Sequence, residues 1–125
     1  MIQYIQTDKA PSAIGPYSQA VVVGDMIYTS GQIALTPSGE LLENDITLQT
    51  TQVLSNLKSV LQEAGSDLDA VVKTTIFLDD MEDFTKVNEI YAKYFKDHKP
   101  ARSTVAVKTL PKNVLVEIEA IAIKK

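Results

Sequence analysis

Arg102 is the only arginine of the chain, and the other eleven of its twelve basic residues are lysines. Arginine offers a planar, two-pronged donor for a carboxylate or phosphate, a geometry that lysine cannot reproduce. A chain that serves its surface with lysine has little generic use for a single arginine, which makes Arg102 the first candidate for gripping an anionic ligand. A general base for water attack requires a carboxylate or imidazole within reach of that water. Glu117 and Glu119 qualify, two positions apart on the same side of an extended segment, and spacing alone does not choose between them. An arginine fork and a carboxylate in one place would make a site for a small anionic substrate that reacts with water.

Other chemistry is narrowed by composition. There is no cysteine and one histidine, His98, so thiolate nucleophiles, disulfides, cysteine metal sites and two-histidine relays are excluded. No metal is expected. The acidic run Asp79-Asp80-Met81-Glu82-Asp83 reads as helix capping and N-terminal charge, and His98 as a surface residue favoured by a helix C-terminus. The net charge is −4 and the pI about 4.9, against a nucleic-acid binder. No apolar run approaches a membrane span and no secretion signal is visible, so a cytoplasmic protein without membrane partners is expected. At 125 residues the chain is expected to form one domain, 1–125.

The elements that must position these groups follow from pattern. Residues 2–6 can form a short strand. Val21-Val22-Val23 and Met26 to Ser30 flank Gly24-Asp25 as a hairpin. A helix capped by Asn44 or Asp45 carries its apolar stripe from Ile46 to Ala64 and stops at Gly65. Val71 to Leu78 follows as a strand. A second helix is expected from about Met81 to Phe95, burying Phe84, Val87, Tyr91 and Tyr94. Strands at 103–107 and 114–123 surround the turn Leu110-Pro111-Lys112-Asn113. The order is β-β-β-α-β-α-β-β, an α+β fold whose two helices cover one face of a mixed sheet.

In the last strand Val114, Val116, Ile118, Ala120 and Ala122 share one face, which should lie under the helices. Leu115, Glu117, Glu119, Ile121 and Ile123 share the other. Three aliphatic residues with two carboxylates suit a subunit interface containing a polar pocket. Two helices cannot cover both faces, so a second copy of the chain is expected there. If the last two strands pair around residues 110–113, Arg102 and Glu117 come close to one another.

Six segments, in order along the chain, resemble one family: Ile14-Gly15-Pro16-Tyr17-Ser18-Gln19, Tyr28-Thr29-Ser30-Gly31-Gln32-Ile33, Asn56-Leu57-Lys58, Phe84-Thr85-Lys86-Val87-Asn88, Pro100-Ala101-Arg102-Ser103 and Val116 to Ala122. They are similar to the RidA/YjgF/YER057c/UK114 family, and most to its RidA subgroup of reactive enamine/imine deaminases. The resemblance implies a chorismate-mutase-like α+β fold and a homotrimer with a central sheet barrel and three clefts between subunits. It implies hydrolysis of 2-aminoacrylate, 2-iminobutanoate and related products of amino-acid dehydratases to 2-keto acids and ammonia, without a cofactor. By the same resemblance Arg102 binds the substrate carboxylate and Glu117 positions or activates water. Tyr17 and Ser30 line the cleft, and the Gly31 backbone approaches the substrate. Thr104 stands where many members have cysteine, and its contact is through the backbone. Asn88 matches a recurring motif with either a functional or a structural role. Two other classes stay open: a regulatory trimer that binds small carboxylates without turnover, and a ribonuclease or translation inhibitor.

Overall fold

The computed structural model describes residues 1–125, which fold as one six-stranded sheet with two helices on one side. The elements are β1 (Ile2–Ile5), β2 (Ala20–Val23), β3 (Met26–Thr29), α1 (Ile46–Glu63), β4 (Val71–Leu78), α2 (Phe84–Phe95), β5 (Ala101–Ala106) and β6 (Val116–Ile123). The spatial order is β1-β2-β3-β6-β4-β5, antiparallel except for the parallel pair β4–β5 joined through α2.

The expected punctuation is in place. Asp45 Oδ1 accepts the Leu48 N–H at 3.0 Å and starts α1. Gly65, at φ +86°, takes the left-handed conformation that ends it. The second helix begins later than its apolar pattern suggests. Met81–Asp83 is a 3-10 turn, because the Asp80 carboxylate accepts the Glu82 N–H at 2.9 Å and caps that turn. Val87, Tyr91 and Phe95, spaced by four, form the buried stripe of α2, while Phe84 and Tyr94 are only half-buried.

The two faces of β6 divide as the alternation requires. Val116, Ile118, Ala120 and Ala122 are buried beneath α1 and α2 with Val114, and join Leu54, Leu57, Leu61, Ile76 and Leu78 in the core. Each of the valine, leucine and isoleucine side chains contributes about 1.5–3 kcal/mol on burial. Leu115, Glu117, Glu119 and Ile121 are half-buried on the open face, and Ile123 is exposed there. Strand registers place Tyr4, Val23, Tyr28 and Val105 on that same face, all exposed.

One expected pairing is overturned. β5 and β6 do not pair; β4 lies between them. The α2 crossover sets β5 parallel to β4, as a βαβ unit does, and leaves β5 at the sheet edge. The chain then passes the β4 end through the turn at Pro111–Asn113 and returns as β6 on the other side.

Candidate active site

Glu117 occupies the floor of a cavity of about 360 Å³ on the open face, with Tyr17, Gly31, Ile14, Ile33 and Lys112 among its walls. Burial pushes its carboxyl above the ordinary value, and the charge of Glu119 on the same face adds to that rise. The carboxylate lies directly against Gly31: a Cβ there would overlap Glu117 Oε2 and stand 2.7 Å from Cδ. Only glycine leaves room for the carboxylate. Gly31 reaches this place because the chain after β3 is pinned to β6, with Gln32 N–H donating to Ile118 O at 2.9 Å and Ile118 N–H donating back at 3.2 Å.

Ser30 forms the adjoining corner. Its N–H donates to Gln19 O at 2.9 Å and its hydroxyl to Ser18 O. Its side chain is therefore committed to the backbone that precedes β2. Tyr17 stands 55% exposed at the rim, after Gly15 at φ +125°, whose carbonyl accepts the Tyr17 N–H at 2.9 Å. A ring exposed to that degree beside an apolar wall is available to a ligand or to another subunit.

Arg102 lies elsewhere. In the sheet it is opposite Thr74, which is opposite Ala120, and both of those point into the helix layer. Its guanidinium carbon is 4.9 Å from the Tyr91 ring centre and 5.3 Å from that of Phe84, and its Nη1 donates to Asn88 Oδ1 at 2.8 Å. Tyr91 is fixed in turn by a 2.7 Å hydrogen bond with the Thr74 hydroxyl. Burial raises the Tyr91 phenol above its ordinary pKa, against the opposing pull of that hydrogen bond and of the Arg102 charge. The chain's two salt bridges are Lys58–Asp67 and Lys125–Asp69, so no carboxylate of its own neutralises Arg102. Aromatic faces and one amide orient the fork and leave its charge free for a ligand.

The structure thus brings Tyr17, Ser30, Gly31 and Glu117 together and keeps Arg102 apart from them in one chain. Thr104, opposite Ile76, shares the helix-side face of β5 with Arg102 and is half-buried. Glu117 is opposite Phe77, and Phe77 opposite Val105, all on the open face. The expected proximity of Arg102 and Glu117 through pairing of the last two strands is corrected by this register. Two further features carry no clear signal in the sequence. His98 is not a free surface residue: its Nε2 bonds to the Val71 carbonyl at 2.7 Å and ties the end of α2 to the start of β4. Lys112 joins the cavity wall from a left-handed backbone, φ +55° and ψ +21°; the Pro-Lys-Asn turn was the only signal for it.

Residues 7–124 match the family model described as Endoribonuclease L-PSP, and the chain belongs to this YjgF/RutC/RidA family. It is 52% identical to a RutC family protein of Pyrococcus abyssi across 98% of both chains. It is 51% identical to the human 2-iminobutanoate/2-iminopropanoate deaminase, covering 96% of this chain and 88% of that one. Among solved structures, Escherichia coli TdcF with bound serine superposes with a TM-score of 0.93 at 42% identity, over 98% of this chain and 99% of that one.

Proposed function

We propose that the protein is a cofactor-independent deaminase that hydrolyses 2-iminobutanoate, 2-iminopropanoate and their enamine tautomers, such as 2-aminoacrylate, to 2-keto acids and ammonia. The observation that carries this reading is the Glu117 carboxylate, held against Gly31 at the floor of a small, partly apolar cavity. The human relative named for this reaction supports it.

In this mechanism Arg102 grips the substrate carboxylate with its free donors, while Asn88 holds the fork in plane. The imine carbon then faces Glu117. Glu117 takes a proton from water as the water oxygen bonds to that carbon, and the C=N electron pair moves onto nitrogen, which is protonated. The resulting carbinolamine loses ammonia as its C–N bond breaks and the C–O bond becomes a carbonyl. A carboxyl raised by burial is a stronger base than an exposed one, which suits proton removal from water. Orientation of a small substrate by one charged fork supplies much of the rate.

Because Arg102 and Glu117 lie on opposite faces within one chain, the working cleft is formed between copies. The β5 edge of one subunit brings Arg102 and the Thr104 backbone to the Glu117 cavity of the next. The exposed apolar face that includes Tyr4, Val23, Tyr28 and Ile123 closes inward in a homotrimer. No helix is long and apolar enough to cross a membrane, and a cytoplasmic location is proposed with the substrate's amino-acid chemistry.

The test is direct. Freshly generated 2-aminoacrylate or 2-iminobutanoate is supplied to the purified protein, and release of keto acid and ammonia is followed. Tight binding of small carboxylates without turnover would favour a regulatory trimer instead, and cleavage of RNA without imine hydrolysis would favour a nuclease.

A further inference from the structure

Gln19 is buried, with 1% of its surface exposed, and it uses both ends of its amide. Its Oε1 accepts the Thr7 N–H at 2.7 Å, and its Nε2 donates to Thr7 O at 3.1 Å and Pro11 O at 2.8 Å, with Ala10 O at 3.5 Å. Its backbone carbonyl accepts the Ser30 N–H. One residue therefore connects both walls of the Glu117 cavity: the loop that carries Ile14 and Tyr17, and the strand end that carries Ser30 and Gly31. Beyond Thr7, the hydrogen bonds that tie residues 8–17 to the fold all come from Gln19. The loop has neither helix nor strand pairing of its own.

We infer that Gln19 is the positioning residue of this cavity, holding Ile14 and Tyr17 where they meet the substrate while leaving the water-activating carboxylate untouched. The inference rests on the deaminase reading for its kinetic consequence. Its chemistry is specific to a primary amide, which accepts and donates at once. A leucine would leave the buried Thr7 N–H and the partly buried Pro11 carbonyl unpaired. An ionised glutamate would still accept from Thr7 but would face the loop carbonyls with no proton to donate. A protonated glutamate would donate to one of them. Burial among carbonyl oxygens raises a carboxyl pKa, moving its titration from about 4.3 toward the working range.

Gln19→Glu thus turns the loop anchor into a pH-dependent one. Steady-state hydrolysis of 2-iminobutanoate is measured for wild type and Gln19→Glu from about pH 5.5 to 8.5, with hydrogen exchange of residues 8–17 at each pH. The KM of the variant should rise roughly tenfold relative to wild type across that range, the factor of one lost hydrogen bond. Its kcat should stay within about twofold of wild type, and loop exchange should accelerate in parallel. Gln19→Asn, which keeps the amide but withdraws its reach, should raise KM at every pH without the titration. For Gln19→Glu, a KM equal to that of wild type at every pH, a loss of kcat with KM unchanged, or faster loop exchange without any KM change would each overturn the inference. Should wild type hydrolyse none of the imines, the deaminase reading fails on its own. Exchange measured with 2-oxobutanoate then decides about Gln19: protection of 8–17 in wild type and its loss in the variants supports the inference, and equal behaviour in both overturns it.

Discussion

Arg102 and Glu117 stand on opposite faces of one sheet, Arg102 in register with Thr74 and Glu117 with Phe77. No side-chain rotation brings an arginine on the helix side of an edge strand to a carboxylate on the open face two strands away. If both residues serve one substrate, they come from different subunits. Co-refolded mixtures test this. Arg102→Ala and Glu117→Gln are each expected to be inactive alone, and an equimolar mixture should recover about one quarter of wild-type activity, because one site in four then pairs an intact arginine with an intact glutamate. A site contained in one chain would recover nothing.

Glu117→Gln should lower kcat by 10²–10⁴-fold, the usual range for a general base, while Glu119→Gln, which removes only a neighbouring charge, should stay within about tenfold. The pH dependence follows from the sign of the shift. The Glu117 carboxyl is raised in the folded state, so the native protein holds this proton more tightly than the unfolded chain does. Activity that needs the carboxylate should fall as pH drops through the raised value. Stability should move the other way: ionising Glu117 costs folding free energy, present above the raised pKa and absent below the unfolded one. Glu117→Gln should therefore show a higher Tm than wild type at neutral pH, and thermal scans should find the gain vanishing in acid.

Asn88 holds the Arg102 guanidinium through one hydrogen bond, and under the proposed mechanism its removal should be felt as lost orientation. Asn88→Ala deletes a charge-assisted hydrogen bond, worth about 1.5–3 kcal/mol where it is fully expressed. We expect kcat/KM to fall by roughly tenfold with little change in Tm, since the pair is exposed. Arg102→Lys should cost at least as much, because lysine keeps the charge without the fork. Near-wild-type kinetics of the lysine variant would show that planar recognition is irrelevant.

Gly31→Ala places a methyl group into the Glu117 carboxylate. Either the carboxylate swings away from the cavity floor or the strand end retreats from β6. The variant should lose more than about a hundredfold in kcat, comparable to removal of the base, while circular dichroism reports an unchanged fold. Full activity would show that the carboxylate works from another position.

The helices, the hairpin and the two faces of β6 were legible because each has a strong period or a distinct breaker. Val116 and Ile118 alternate with Glu117 and Glu119, so the orientation of Glu117 followed directly. Arg102 offered no such guide. Its edge strand is exposed at five of six positions, so apolar alternation could not reveal its face. The insertion of β4 between β5 and β6 was equally hidden, since short connections suggest pairing until the crossover through α2 is recognised. Tertiary hydrogen bonds account for the remaining surprises. Nothing local distinguishes Gln19 from an exposed glutamine, or His98 from a surface imidazole, before residues 7–11 and 71 are brought to them.

The α2–β5 crossover has one more consequence. Asp79 N–H donates to Leu115 O, and Val107 N–H to Leu78 O, closing both ends of the span that holds Phe84, Asn88, Tyr91 and Arg102. Everything that orients the guanidinium, apart from Thr74 beneath Tyr91, thus arrives on one continuous stretch of chain, and Glu117 with its companions arrives on others. The two clusters can diverge separately: a gene that exchanges residues 79–107 with a relative would trade the surroundings of Arg102 as a cassette and leave the Glu117 cavity inherited intact, and under the proposed mechanism that would change anion recognition without touching the water-activating carboxylate.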